Sequence, residues 1–432
     1  MQLLHHFGSA TAFQRTPKEV FAYIFELVTA DRPLQDLRAI CLVCRIWYKL
    51  AISLPELWSY LPLSPNTSEA KLALWLQRSR DHTLHILVPG PEVDYFKDRW
   101  PYPSNYKLDS PDAMSSIMSR CGTLSLSCPQ DDFGNSQLDW VERWNGQVFH
   151  RLEALSLHFS ADGVEFPSTC TFPRLRSLEV SRGTCKWPSA IIPRSSSTLT
   201  SFSLSNVTSC YSLSISDVLG MLVFAPYLEH LELYEVEWTQ PDTDIPPIIN
   251  LANLISLSLT SVDDVFDIIR PLQMPQLRIL AIGDVDDNLG PVFADIACKT
   301  SSIRQLKTGL WEDNFAAESE IGLTELLKKQ RELQSLVVSN ASIGRAFIQR
   351  LTPCLTTNDS VDDRLCPQLT ILELPAHSDW YQEVYMMVQS RFAAGIQLKA
   401  LTLIGVVDSS WDMESLALYV RKLKVEEGDD IE

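Results

Sequence analysis

The chain has 432 residues, 45% of them hydrophobic, and a formal net charge of −18 from 36 basic and 54 acidic side chains. That length supports a large core and more than one folding unit. An acidic chain repels phosphate, so nucleic acid and anionic membrane are not expected partners.

Residues 1–15 show no hydrophobic period and read as a loose N-terminal arm. The arm lacks the basic start and apolar run of a secretory leader. The expected location is therefore cytoplasmic, nuclear or both. The ten cysteines are expected as free thiols, and the sequons at Asn66, Asn206, Asn340 and Asn358 as unused. The longest apolar stretch, Met221 to Ala225, is far too short to span a bilayer.

A helix is expected from Pro17 onward. Pro17, Val20, Phe21, Ile24, Phe25 and Val28 recur at i, i+3, i+4, i+7, i+8 and i+11, on one face. After Asp31-Arg32-Pro33 a second helix is expected over 37–52. Its only strongly polar residues, Arg38, Arg45 and Lys49, share one narrow stripe. Such a helix needs more cover than one partner helix gives. Pro55-Glu56-Leu57-Trp58 closes the unit.

Four pieces in order, Pro17-x-Glu19, Ile24-Phe25, Leu42-Val43-Cys44-x-x-Trp47 and Pro55-x-Leu57-Trp58, resemble an F-box. The likeness is to the F-box-like type abundant in mushroom-forming fungi. Thr16 departs from it, standing where that family usually has leucine. The resemblance implies an all-helical F-box-like hairpin over 16–62. It also implies a partner, the Skp-type linker subunit and through it a cullin. The residues matched to linker binding are Pro17, Val20, Ile24, Leu42, Val43, Cys44 and Trp47. The bland alternative is a hairpin that docks only on its own chain.

Ser68 to Arg80 reads as a helix with Ser68 as N-cap and Leu72, Trp75, Leu76 and Ser79 on one face. Leu84 to Val88 alternates as a strand. Residues 89–111 hold five prolines among scattered aromatics and form an insertion without a period.

From residue 152 the chain repeats itself. Leu152-x-x-Leu155-x-Leu157 recurs from Leu175, Leu199, Leu228, Leu254, Leu277, Leu333, Leu369 and Leu398. Ile303/Leu306 is a degraded copy, and Leu124-x-Leu126 and the Leu84 strand are earlier ones. Leu152 to Leu175 is 23 residues and Leu333 to Leu369 is 36. Short apolar strands at such a period mean a solenoid, and the pattern resembles a leucine-rich repeat. Where the usual Asn or Cys would follow the strand stand Val207, Val236, Val262, Val285 and Val406, so apolar packing must order those loops. Helices are expected at 216–224, 322–329, 380–392 and 410–422, the last capping the open end with no strand after it. Residues 426–432 are an acidic tail.

No nucleophile elbow, zinc-protease, phosphate-loop or dinucleotide motif occurs, so no catalytic residue is assigned. Cys41-x-x-Cys44 has redox spacing but lies within an apolar helix. Asp284-x-Asp286-x-Asn288 resembles a calcium loop whose glycine is late and whose twelfth position is Asp295. No metal ligand set and no cofactor are expected. What remains is surface. The strand residues between the leucines face away from the core. His158, Glu179, His230, Glu232 and Tyr234 are the sharpest of these and are assigned to substrate binding, against the alternative of a merely solvated face. Trp187, Trp238, Trp311, Trp380 and Trp411 follow their strands, and either line one rim or each pack their own loop.

The expected fold is α/β: a helical F-box-like hairpin over 16–62, then a curved leucine-rich-repeat solenoid of parallel strands over 63–425 with the insertion at 89–111. The expected function is a non-catalytic substrate-recognition adaptor of an SCF-type cullin–RING ubiquitin ligase, with an unknown protein as target. The alternative is a leucine-rich-repeat interaction scaffold outside any ligase.

Overall fold

The structure, a computed structural model, describes residues 16–29, 33–63, 67–88, 111–128, 146–159, 169–181, 198–207, 214–238, 248–285, 288–309, 316–339, 344–352, 365–405 and 411–426. The arm at 1–15, the insertion apart from Pro111, Trp187, Trp311, Val406 and the tail beyond Glu426 lie outside them, as do the sequons at Asn66, Asn340 and Asn358. The chain divides into two compact units, Met1–Leu175 and Arg176–Glu432.

The first unit opens with α1 (Lys18–Thr29), α2 (Pro33–Val43) and α3 (Arg45–Ser53). Phe21, Phe25, Leu37, Ile40, Leu50, Ala51, Leu57 and Trp58 form one buried core between them. The helix expected over 37–52 is two helices. Cys44 is fully extended (φ −162, ψ 169) and caps α3, its Sγ accepting the Trp47 backbone N–H at 3.5 Å. The break resets the helical phase and lets the Trp47 ring turn back onto Phe21 and Phe25. A single 3₁₀ turn, Pro55–Trp58, follows. Its Trp58 Nε1 donates to the Ala51 carbonyl at 2.9 Å, and its ring meets Trp75 edge-on at 5.1 Å. Trp75 belongs to α4 (Glu69–Ser79), capped by Ser68 as the sequence predicts.

Among the described residues this unit also holds four parallel strands, β1 (Tyr60–Pro62), β2 (Leu84–Val88), β3 (Cys121–Cys128) and β4 (Ala154–Phe159), with α5 (Pro111–Arg120) before β3. Leu61, Ile86, Leu124 and Leu155 are register partners in that order. The sheet thus begins at Tyr60, inside the segment matched to the helical motif. Trp58, Leu61 and Leu63 take the same three buried places as Leu152, Leu155 and Leu157.

Among the described residues the second unit stacks ten parallel strands in the order β5 (Ser177–Ser181), β6 (Ser201–Val207), β7 (His230–Val236), β9 (Ser256–Val262), β11 (Ile279–Gly283), β12 (Gln305–Thr308), β13 (Ser335–Val338), β14 (Ile371–Pro375), β15 (Ala400–Ile404) and β16 (Leu423–Glu426). The short strands β8 (Ile249–Asn250) and β10 (Leu272–Gln273) pair with each other. Between the strands run α6 (Ile215–Val223), α7 (Val265–Ile269), α8 (Leu289–Lys299), α9 (Ala316–Lys329), α10 (Arg345–Leu351), α11 (Tyr381–Ala393) and α12 (Met413–Ala417).

The register explains the leucine spacing. Leu178, Phe202, Leu231, Leu257, Leu280, Leu306, Leu336, Leu372 and Leu401 form one unbroken row, each buried. Fully burying each such side chain stabilises by about 1.5–3 kcal/mol. The residue before each strand adds a backbone ladder. The carbonyls of Arg176, Thr200, Glu229, Ile255, Arg278, Arg304, Gln334 and Thr370 each accept two successive N–H groups from the next repeat. The degraded copy at Ile303 keeps this ladder. It places Thr308 in the third apolar slot, fully buried and with no hydroxyl partner among the described residues.

The loops are ordered by apolar packing, as the valines predict. Asn206, Glu235, Ser261 and Asp284 all adopt left-handed backbone (φ 51 to 56), and each is followed by a buried valine: Val207, Val236, Val262 or Val285. The left-handed residue shifts the inward–outward alternation by one position, so that the next residue, the valine, turns inward, and Val207, Val236 and Val262 remain register partners within the sheet.

The C-terminal end differs from expectation. The helix expected over 410–422 is only Met413–Ala417, and a strand follows it. Val420 is buried and Leu423 and Val425 continue the leucine rows, so this segment is a repeat and not a cap. Upstream, Arg391 is wholly buried. Its guanidinium donates to the Leu351 carbonyl at 3.1 Å and the Cys366 carbonyl at 2.8 Å, joining the end of α10 to the turn before β14.

Candidate interaction surfaces

The apolar stripe of α1 is wider than its core needs. Phe21 and Phe25 turn inward, while Val20 (44% exposed), Ile24 (39%) and Val28 (48%) stay outside. Leu42 (76%) and Val43 (58%) stand exposed at the end of α2, and Ile46 at the start of α3. Pro17 and Cys44 are exposed as well. Of the residues matched to linker binding, then, six are open to solvent. The seventh, Trp47, is half-buried against Phe21 and Phe25 and works inside the unit. The pattern reading did not name Tyr23, Leu27, Ile46 and Tyr48, which are also exposed. For Tyr23 and Leu27 the signal is α1 itself, a twelve-residue helix with more apolar positions than one core-facing stripe can use.

The two motif cysteines do not lie within one helix as the sequence predicts: Cys41 belongs to α2, whereas Cys44 stands exposed at the N-terminus of α3. Burial pushes the Cys41 thiol up, opposed by the nearby Arg78. A raised thiol is a poor nucleophile. Cys44 spends its sulfur as a helix cap.

In the second unit the outward residues also fall in rows. Glu179 faces Ser203, whose hydroxyl donates to the Glu232 carboxylate at 3.1 Å. His230 and Tyr234 flank Glu232 two residues away on the same strand and face, and all three are exposed. The neighbouring serines and Thr260 are half-buried, so β7 is the most prominent strand of this stretch. Hydrogen bonding to Glu235, and that residue's charge, hold the Tyr234 phenol above its ordinary range. The structure thus brings together Glu179, His230, Glu232 and Tyr234. His158 belongs to the other compact unit, on β4, where its Nε2 lies 2.8 Å from Ser156 Oγ.

Trp238, Trp380 and Trp411 are buried, and two of the three reach a neighbouring repeat. Trp238 is 9% exposed and donates to the Asp263 carbonyl at 2.8 Å. Trp380 stacks on His377 and Trp411 tilts against Tyr381, both rings buried. The rim reading is corrected for these three.

Among the described residues no group of three or more His, Cys, Asp or Glu is placed to hold a metal ion. No helix among them is long and apolar enough to cross a membrane.

Both units therefore build leucine-rich-repeat sheets. No protein-family model matches the chain, and no curated protein matches it. Among solved structures, the crystal structure of a TLR13–ssRNA13 complex is similar, at 16% identity over 65% of this chain and 40% of that one, with a TM-score of 0.36. The chain thus spans well under half the length of that protein.

Proposed function

We propose that this chain is a non-catalytic protein-binding adaptor. Its N-terminal helices dock on a Skp-type linker subunit, and through it on a cullin–RING ubiquitin ligase, while the repeat sheet holds a protein target. The reading joins the F-box resemblance to one observation: Val20, Ile24, Leu42 and Val43 stand in solvent beside a core that is already complete. Apolar groups left out of a finished core mark an interaction site. Catalysis in this reading is proximity, with bond chemistry left to the ligase.

The test is co-purification of the full chain with a Skp-type subunit. Leu42→Asp with Val43→Asp should abolish capture and leave the melting temperature unchanged. Failure of the unaltered chain to capture the subunit, or capture by the double variant, would sink the proposal.

A second reading, a repeat scaffold outside any ligase, has its own support. Cys44 and Trp47 both have structural tasks within the helices, as cap and as core aromatic, so that part of the motif needs no partner to explain it.

A further inference from the structure

β16 pairs with β15 on one side, and among the described residues no strand pairs with the other. On the paired side, Lys422 and Glu426 give their carbonyls to Leu401 and Gly405. In a parallel ladder alternate residues make both bonds to one neighbour, so Leu423 and Val425 turn their N–H and C=O groups to the open edge. Val425 also continues a core row, opposite the buried Leu403, yet remains 44% exposed. Leu418, just before the strand, is 71% exposed. A free edge carrying apolar side chains is a template for another strand.

The sequence says which strand fits. Charge changes sign at Val425: Arg421, Lys422 and Lys424 precede it, and Glu426, Glu427 and Asp429 follow. We propose that β16 pairs antiparallel with β16 of a second copy of this chain, with the two-fold axis passing between the two Val425 residues. Val425 is the residue whose backbone groups face outward, so it forms the doubly hydrogen-bonded pair with its own copy. That register sets Lys424 of each copy opposite Glu426 of the other, on the sheet face away from the core. A parallel or shifted pairing would bring like charges together or leave these unmatched, and like charges directly opposite destabilise. Within one chain Lys424 and Glu426 pair with each other in solvent. Exposed pairs contribute little, so they can exchange partners. The interface carries the apolar contact of Val425 and joins the two sheets edge to edge.

The experiment is sedimentation velocity on the full chain over a concentration series, with circular dichroism as a check on folding. A concentration-dependent monomer–dimer equilibrium is expected. Val425→Pro removes the outward N–H at the axis, a change tolerated on an edge strand, and should leave a folded monomer. Lys424→Glu should weaken the dimer about tenfold, as two cross-strand attractions become repulsions. Lys424→Glu combined with Glu426→Lys restores opposite charges and should restore the dimer. Val425→Cys should form an intermolecular disulfide under mild oxidation, since Cα atoms of such a pair lie about 5.5 Å apart. A chain monomeric at every concentration overturns the proposal. So does a dimer indifferent to Val425→Pro, or one that the double charge swap fails to restore.

Discussion

Trp47 rests on Phe25, their ring centroids 5.0 Å apart. The contact closes the N-terminal core across the break at Cys44. Trp47→Ala is accordingly expected to destabilise the first unit by about 2–4 kcal/mol, since a half-buried aromatic is lost from a formed core. Leu42→Asp, at a position 76% exposed, should cost less than about 0.5 kcal/mol. Chemical denaturation of the two variants side by side checks this. Equal stabilities would mean that Trp47 is not a core residue.

In the second unit α8 and α9 cross through two glycines. A Cβ on Gly322 would overlap the Gly290 carbonyl, and one on Gly290 would lie 2.7 Å from the Glu318 carbonyl. Backbone cannot move aside as a flexible side chain does. Gly322→Ala is expected to cost about 1–3 kcal/mol. Gly220→Ala in α6, where nothing lies within 4 Å, should stabilise by roughly 0.5–1 kcal/mol through helix propensity. Thermal unfolding of both variants gives the signs.

The left-handed residues before the loop valines make a backbone prediction. Ser261 has φ 51. A β-branched side chain there is strained, so Ser261→Val should destabilise by about 1–2 kcal/mol although the site is only half-buried. Ser261→Gly should not. Denaturant midpoints that move together for both substitutions would count against the turn's role.

Burial pushes the Cys121 and Cys366 thiols up to about 12 from an ordinary value near 9. The native state therefore holds protons that the unfolded state releases between those values. Their contribution is fully present below about pH 9 and is lost as pH rises toward 12. The slope is at most about 1.4 kcal/mol per pH unit for each thiol. Cys366→Ala should flatten the alkaline limb of a stability–pH curve. In native protein a thiol reagent should label the exposed Cys44 and Cys298 and spare Cys121, Cys170 and Cys366 until unfolding. Rapid labelling of Cys121 would contradict its burial.

Much of this was readable from residue order. The leucine spacing determined the strands, because a side chain in a parallel stack has one inward direction every second residue, and Leu231, Leu257 and Leu280 have no other way to be buried. The valines after the strands announced how the loops pack. Ser68 announced a helix start. The end strand is equally legible in Val420-x-x-Leu423-x-Val425, but Leu416, Tyr419 and Val420 also fit a helical face, and the two periods compete over the same residues.

What tertiary structure decided was which apolar residues remain outside, and where periodicity stops. Pattern alone put Val20, Phe21, Ile24 and Phe25 on one face, whereas packing against Leu37, Ile40 and Trp47 took the phenylalanines and left Val20 and Ile24 in solvent. Apolar character does not distinguish core from docking surface, because both are paid for by the same desolvation. Nor could sequence foresee the break at Cys44, for a helix over 37–52 satisfies the same pattern until Trp47 must reach Phe25. Register, likewise, set Glu179, Ser203 and Glu232 in one line. Sequence alternation gives the face a residue takes, but only hydrogen bonding between repeats fixes its neighbour.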